Sequence, residues 1–104
     1  MTPEGQVLRS IMDYLAVRRV FALRLNTGAM SGAYKGKKWF VRFGTPGLSD
    51  IVAFPNGKPA LFIEVKAAKG KQSDLQKDFQ QQVESAGCAY VLARSIDDVA
   101  KVIR

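Results

Sequence analysis

Apolar residues recur along the chain with two different periods, and each change of period marks an element. Val7, Leu8, Ile11, Tyr14 and Leu15 return at helical spacing, which predicts an amphipathic helix with one buried stripe. Thr2 can cap it, with Pro3 at its first position and Glu4 in its first turn. From Val20 to Asn26 (VFALRLN) the pattern becomes an alternation of apolar and other residues, rich in the types that suit a strand. TGAMSGAYKGKK breaks that pattern and is expected to be a glycine-rich basic loop. Trp39 to Phe43 (WFVRF) predicts a second strand, and Gly44 to Gly47 a turn. Asp50 to Phe54 and Ala60 to Ala67 predict two further strands around the turn signal PNGKP.

Helical spacing then returns. Ser73-Asp74-Leu75-Gln76 reads as a capping box. Leu75, Phe79 and Val83 form one stripe behind it, and Gly87 ends the helix. Cys88 to Ala93 predicts a short buried strand, and Ser95 caps a last helix with Val99, Val102 and Ile103 as its apolar positions. The expected order is α-β-β-β-β-α-β-α, an α/β fold with a central mixed sheet flanked by helices. No repeat or low-complexity linker interrupts it, so residues 1–104 are expected to form a single domain.

Composition narrows the chemistry. The lone Cys88 excludes an intrachain disulfide and fits a reducing compartment; it is expected to be an inert core residue. With no histidine, the Ser-His-Asp and Cys-His mechanisms are closed, and a zinc site has almost no ligands to draw on. No apolar run is long enough for a membrane span. The opening MTPEGQVLRS lacks the layout of a signal peptide, so a cytoplasmic location is expected. The formal charge is +7, and all of it comes from one stretch. Residues 14–49 contain no acid and seven bases: Arg18, Arg19, Arg24, Lys35, Lys37, Lys38 and Arg42. A solvated surface would not concentrate charge in this way; a polyanion partner, phosphate backbone above all, accounts for it better.

The most apolar segment, LFIEVKA, nevertheless carries Glu64 and Lys66. Strand alternation sets Leu61, Ile63, Val65 and Ala67 on one face and Phe62, Glu64 and Lys66 on the other. A plain ion pair is the structural alternative, but an apolar strand gains little from one that hydrophobic residues could replace. Asp50 stands just before the neighbouring strand. A two-residue Asn56-Gly57 turn, the usual preference of that dipeptide, would set Asp50 opposite Ile63 and on the wrong face. A three-residue loop, Asn56 to Lys58, or a bulge would set it opposite Glu64, and this register is the one expected. Two converging carboxylates repel unless a cation joins them. An oxygen-only donor set suits Mg²⁺ or Mn²⁺. A lysine beside it can hold or deprotonate a water and offset charge on a phosphate, which is the equipment for phosphodiester hydrolysis.

Asp50, thirteen intervening residues, then Glu64-Val65-Lys66 resembles the D-(X)n-E-X-K signature of the PD-(D/E)XK nuclease superfamily. The resemblance to its VRR-NUC branch runs over nearly the whole chain, through Glu4, RLNTGA, GLSD, IEVK, KGKQSDLQ and GCAYVLARSIDDV. Ser49 stands where the motif often has proline. The resemblance implies a restriction-endonuclease-like fold. It implies Asp50, Glu64, the Val65 carbonyl and Glu4 as metal ligands and Lys66 as the catalytic lysine. Gln76 would orient water or a metal-bound group, beside its capping role. Asn26, Thr27 and Gly28 match the branch and would line the site or contact phosphate. Arg24, Lys35, Lys37, Lys38, Arg42 and Lys69 are expected to contact nucleic-acid backbone. Tyr34 and Trp39 flank the basic loop and offer rings for stacking on a base, although core packing is the simpler role for Trp39.

The reading that follows is a metal-dependent endonuclease acting on DNA. No base-reading motif is evident, so recognition of DNA structure rather than sequence is expected. Standalone members of the VRR-NUC branch resemble Holliday-junction resolvases and phage and bacterial proteins, and that resemblance implies a Holliday junction or other branched DNA as substrate, in a bacterial or phage-infected cell. One active site per chain and paired cuts imply a homodimer. Two rivals remain open: a non-catalytic nucleic-acid-binding module, and a nuclease acting on linear or single-stranded nucleic acid.

Overall fold

The computed structural model describes residues 1–25 and 28–104, with the backbone alone described at 28–31, 34 and 39–43. Among the described residues nine elements follow one another: α1 (Pro3–Val17), β1 (Phe21–Arg24), β2 (Gly28–Tyr34), β3 (Lys37–Phe43), β4 (Ile51–Phe54), β5 (Leu61–Val65), α2 (Asp74–Ser85), β6 (Ala89–Ala93) and α3 (Ile96–Ile103). The Thr2 hydroxyl accepts the Gly5 N–H at 3.0 Å and opens α1 as expected. At α2 the capping box forms in both directions: Gln76 N–H donates to Ser73 Oγ, and Ser73 N–H donates to Gln76 Oε1. Gly87, at φ 86°, ends that helix.

The main sheet runs β1-β4-β5-β6. Its first three strands are antiparallel, and β6 returns parallel to β5 after the α2 crossover. One face carries Ile51, Ala53, Leu61, Ile63, Val65 and Ala93 against Ile11 and Leu15 of α1 and Val99 and Ile103 of α3. On the other, the ring of Phe79 on α2 meets Phe62 edge-on at 5.6 Å and Tyr90 at 6.4 Å. The sheet is therefore a middle layer between α1 with α3 and α2.

Four expectations need correction. The glycine-rich stretch is a strand, so the order gains a β element. β2 pairs with β3 from Gly28↔Phe43 to Tyr34↔Lys37, a two-stranded sheet separate from the main one. Its turn, Lys35-Gly36, has φ of 50° and 77°, the paired positive values that match the twist of a two-residue hairpin. Leu75 is 52% exposed, and Val102 is exposed as well; α3 buries Val99, Ala100 and Ile103 instead. Ser95 makes no capping bond through its side chain. Asp98 reaches back to the Arg94 N–H at 2.9 Å and does that work.

Leu75 faces outward because its turn of helix is held through backbone rather than side chain. Gly47, at φ 77°, lies so close that an added Cβ would stand 2.2 Å from the Leu75 carbonyl oxygen. The loop before Asp50 is thereby pressed onto the first turn of α2. Gly47→Ala combines a backbone clash with left-handed strain, and is expected to cost about 2–4 kcal/mol. Urea unfolding of the two proteins measures it.

Candidate active site

The β4–β5 hairpin decides whether the two acids meet. Its ladder reads Ile51↔Ile63, Val52↔Phe62 and Ala53↔Leu61, which is the register of the longer loop. The turn still centres on Asn56-Gly57, with Gly57 at φ 71° and Lys58 N–H donating to the Pro55 carbonyl at 3.2 Å. Asp50 lies just past the last pair and is tied to β5 on both sides of Glu64. Its N–H donates to the Ile63 carbonyl at 3.0 Å, and its Oδ2 accepts the Val65 N–H at 2.7 Å. Leu25 N–H binds the Asp50 carbonyl at 2.8 Å from the β1 side.

Glu64 is 2% exposed, and its Oε1 has no hydrogen-bond partner among the described residues. One carboxylate oxygen each from Glu4, Asp50 and Glu64 lie within 4.8 Å of one another. α1 thus brings its first turn to the strand ends where β4 and β5 present their acids. Burial above all, then a hydrogen bond with Asp50 and the negative charges of Asp50 and Glu4, against the opposing pull of Lys66, push the Glu64 carboxyl up to about 8. A buried, partnerless acceptor facing two further carboxylates is a place that fits a hard cation. All the donors are oxygens, which suits Mg²⁺ or Mn²⁺ chemistry.

Lys66 follows the end of β5, half-buried, with its N–H on the Ala93 carbonyl at 3.0 Å. Gln76 is half-buried and spends its Oε1 on the capping box. Beside it, Gln72 Nε2 donates to Gln80 Oε1 at 2.9 Å and to Tyr90 Oη at 3.1 Å. Burial holds the Tyr90 hydroxyl above its usual range despite the Gln72 bond, and the charges of Glu64 and Asp50 add to the shift. This glutamine and tyrosine cluster went unnoticed in the sequence, where only the spacing of Gln72, Gln76 and Gln80 hints at a common helix face.

The predicted backbone-contact residues scatter more widely. Lys35, Lys37 and Lys38 are exposed at the tip and first pairs of the β2–β3 hairpin. Arg42 sits on β3 opposite Ala29, and Gly28 opens β2. Arg24 pairs with Ile51 and so lies on the α1 side of the sheet, in a cavity it shares with Gly5, Leu8 and Met12. Lys69 is exposed on the turn after Lys66. Asn26 and Thr27 lie outside the described residues.

The family model described as "VRR-NUC domain" matches residues 2–97. A solved structure described as "VRR_NUC domain" superposes with a TM-score of 0.69 at 19% identity, covering 99% of this chain and 96% of that one. At that identity the likeness is one of fold. Among curated proteins, none matches the sequence.

The raised Glu64 carboxyl gives the protein a testable pH dependence. The fold keeps this proton up to about pH 8, whereas the unfolded chain releases it near an ordinary glutamate value of about 4.3. Stability is therefore expected to fall as pH rises between those two values in metal-free buffer. Glu64→Gln should flatten the decline and gain roughly 1–2 kcal/mol at pH 8, or about 5–10 °C in melting temperature. Added Mg²⁺ or Mn²⁺ should raise the melting temperature of the wild type and leave Glu64→Gln nearly unmoved. Thermal melts across pH, with and without metal, check all three.

Proposed function

Since the chain belongs to the VRR-NUC domain family, a family of nuclease-type domains, we propose that it is a metal-dependent endonuclease that hydrolyses DNA phosphodiester bonds. The observation that carries this reading is the convergence of Glu4, Asp50 and buried Glu64 next to Lys66. Asp50, Glu64, Glu4 and the Val65 carbonyl would hold Mg²⁺ or Mn²⁺. Such an ion would supply positive charge to the three acids and Lewis acidity toward a phosphate oxygen and a water.

The chain's own groups do the rest. Asp50 is immobilised by its three bonds to β1 and β5, so its carboxylate cannot swing away from Glu64. The charge of Lys66 lies near enough to Glu64 to oppose the rise of its carboxyl. From there it holds the attacking water by a hydrogen bond and offsets charge on the phosphate in the transition state. The water oxygen forms its bond to phosphorus and gives up a proton to solvent as the bond to the leaving sugar oxygen breaks on the opposite side, and that oxygen takes a proton from solvent. The exposed lysines of the β2–β3 hairpin supply phosphate-backbone contacts, which favour nucleic acid in general over any one sequence.

Branched DNA is the proposed substrate, cut by a homodimer, because paired cuts need two sites and each chain supplies one. The test is cleavage of a labelled four-way junction beside a flap, a linear duplex and a single strand, with Mg²⁺ or Mn²⁺ and an EDTA control. Metal-dependent cutting is expected. Lys66→Ala should lower it by about 10²–10⁴-fold while binding persists. Preference for linear or single-stranded DNA would replace the branched substrate. Binding without cutting by the wild type on every substrate would leave a DNA-binding module.

A further inference from the structure

Lys66 stands at the end of β5, where the strand gives way to the turn Ala67-Ala68-Lys69-Gly70. The turn closes with Gly70 N–H on the Ala67 carbonyl at 3.0 Å. It also packs along the lysine: a Cβ at Gly70 would stand 3.3 Å from Lys66 Cδ and 3.4 Å from its Cβ. So the turn forms one wall of the space in which the Lys66 side chain lies.

That turn is held from outside by one residue. Arg94 Nη1 donates to the carbonyls of Ala67 at 2.7 Å, Ala68 at 3.2 Å and Gly70 at 2.8 Å. Carbonyls converging on one point repel each other unless a cation sits among them, and the guanidinium is that cation. Arg94 is itself fixed. Its N–H is bound by Asp98 of α3, and the preceding residue, Ala93, accepts the Lys66 N–H. One short stretch thus grips Lys66 by its backbone and, through the turn, by its side chain.

Resting on the nuclease reading above, we infer that Arg94 is a positioning residue for Lys66. It shapes the turn that confines the lysine stem and thereby keeps the ammonium directed at the acids. It touches neither the acids nor the reacting atoms. The clamp lies on exposed backbone, where water can take over the carbonyls. Its loss should therefore release the turn without unfolding the protein.

The experiment compares wild type, Lys66→Ala, Arg94→Ala, Arg94→Met and Arg94→Lys. The readouts are single-turnover cleavage at saturating enzyme, DNA affinity, melting temperature, and hydrogen exchange at the Gly70 amide. Arg94→Ala and Arg94→Met are expected to cleave at least about 30-fold more slowly at saturation, with affinity within about twofold of wild type and faster Gly70 exchange. Arg94→Lys, which restores a cation with several donors, should recover most of the rate. Wild-type cleavage by Arg94→Ala would overturn the inference, as would weakened DNA affinity with an unchanged saturated rate, which would mark Arg94 as a phosphate contact. Melting of both Arg94→Ala and Arg94→Met below the assay temperature would make the clamp a stability element and also overturn it. Failure of the nuclease reading has a separate signature: Lys66→Ala would then behave as wild type.

Discussion

The short bond from the Val65 N–H to the Asp50 carboxylate fixes the relation between two strands and two acids at once. A side chain here accepts a donor from the neighbouring strand, just where the β4–β5 ladder stops. With the Asp50 N–H on Ile63, it pins this residue to β5 on either side of Glu64. Shifting the hairpin by one residue would turn Asp50 to the face packed on α1 and α3 and bury an unpaired charge there. The core contacts of Ile51, Ala53, Leu61 and Ile63 enforce the same register from the other face. Packing and chemistry thus select a single alignment, and neither could change alone.

Holding the acids together has an electrostatic cost, which the fold meets in the metal-free state by keeping a proton on Glu64. The burial that favours this proton also leaves Oε1 without a partner among the described residues. A cation bound at these acids would compete with the proton for the same oxygens, so cation affinity and pH would be linked through one group.

Much of this was legible in the chain. The alternation in LFIEVKA and the caps at Thr2 and Ser73 rest on local rules, and the structure follows them; the odd loop around Asn56 runs against the local turn preference and was legible only from the need to bring Asp50 opposite Glu64. What escaped the sequence was set by tertiary context. Glycine-rich Gly28–Tyr34 has poor intrinsic strand preference, yet pairs residue for residue with β3 once Lys35-Gly36 supplies the turn. Leu75 continues an apolar stripe, but Gly47 brings backbone to that end of α2 and leaves the side chain outside. Arg94 lies 24 to 27 residues from the carbonyls it binds. No periodicity announces such a contact, because it depends on where β6 ends beside β5.

The β2–β3 ribbon enters and leaves the main sheet between two neighbouring strands whose adjoining ends are joined by the Leu25–Asp50 bond. The chain therefore departs and returns at nearly the same point. Closing a loop across such a gap costs little more for a long insert than for a short one, since the entropy grows only with the logarithm of length. The ribbon behaves as an exchangeable arm on a fixed base. Its length, charge and tip can drift through evolution, or be grafted by design, while the acids keep their spacing.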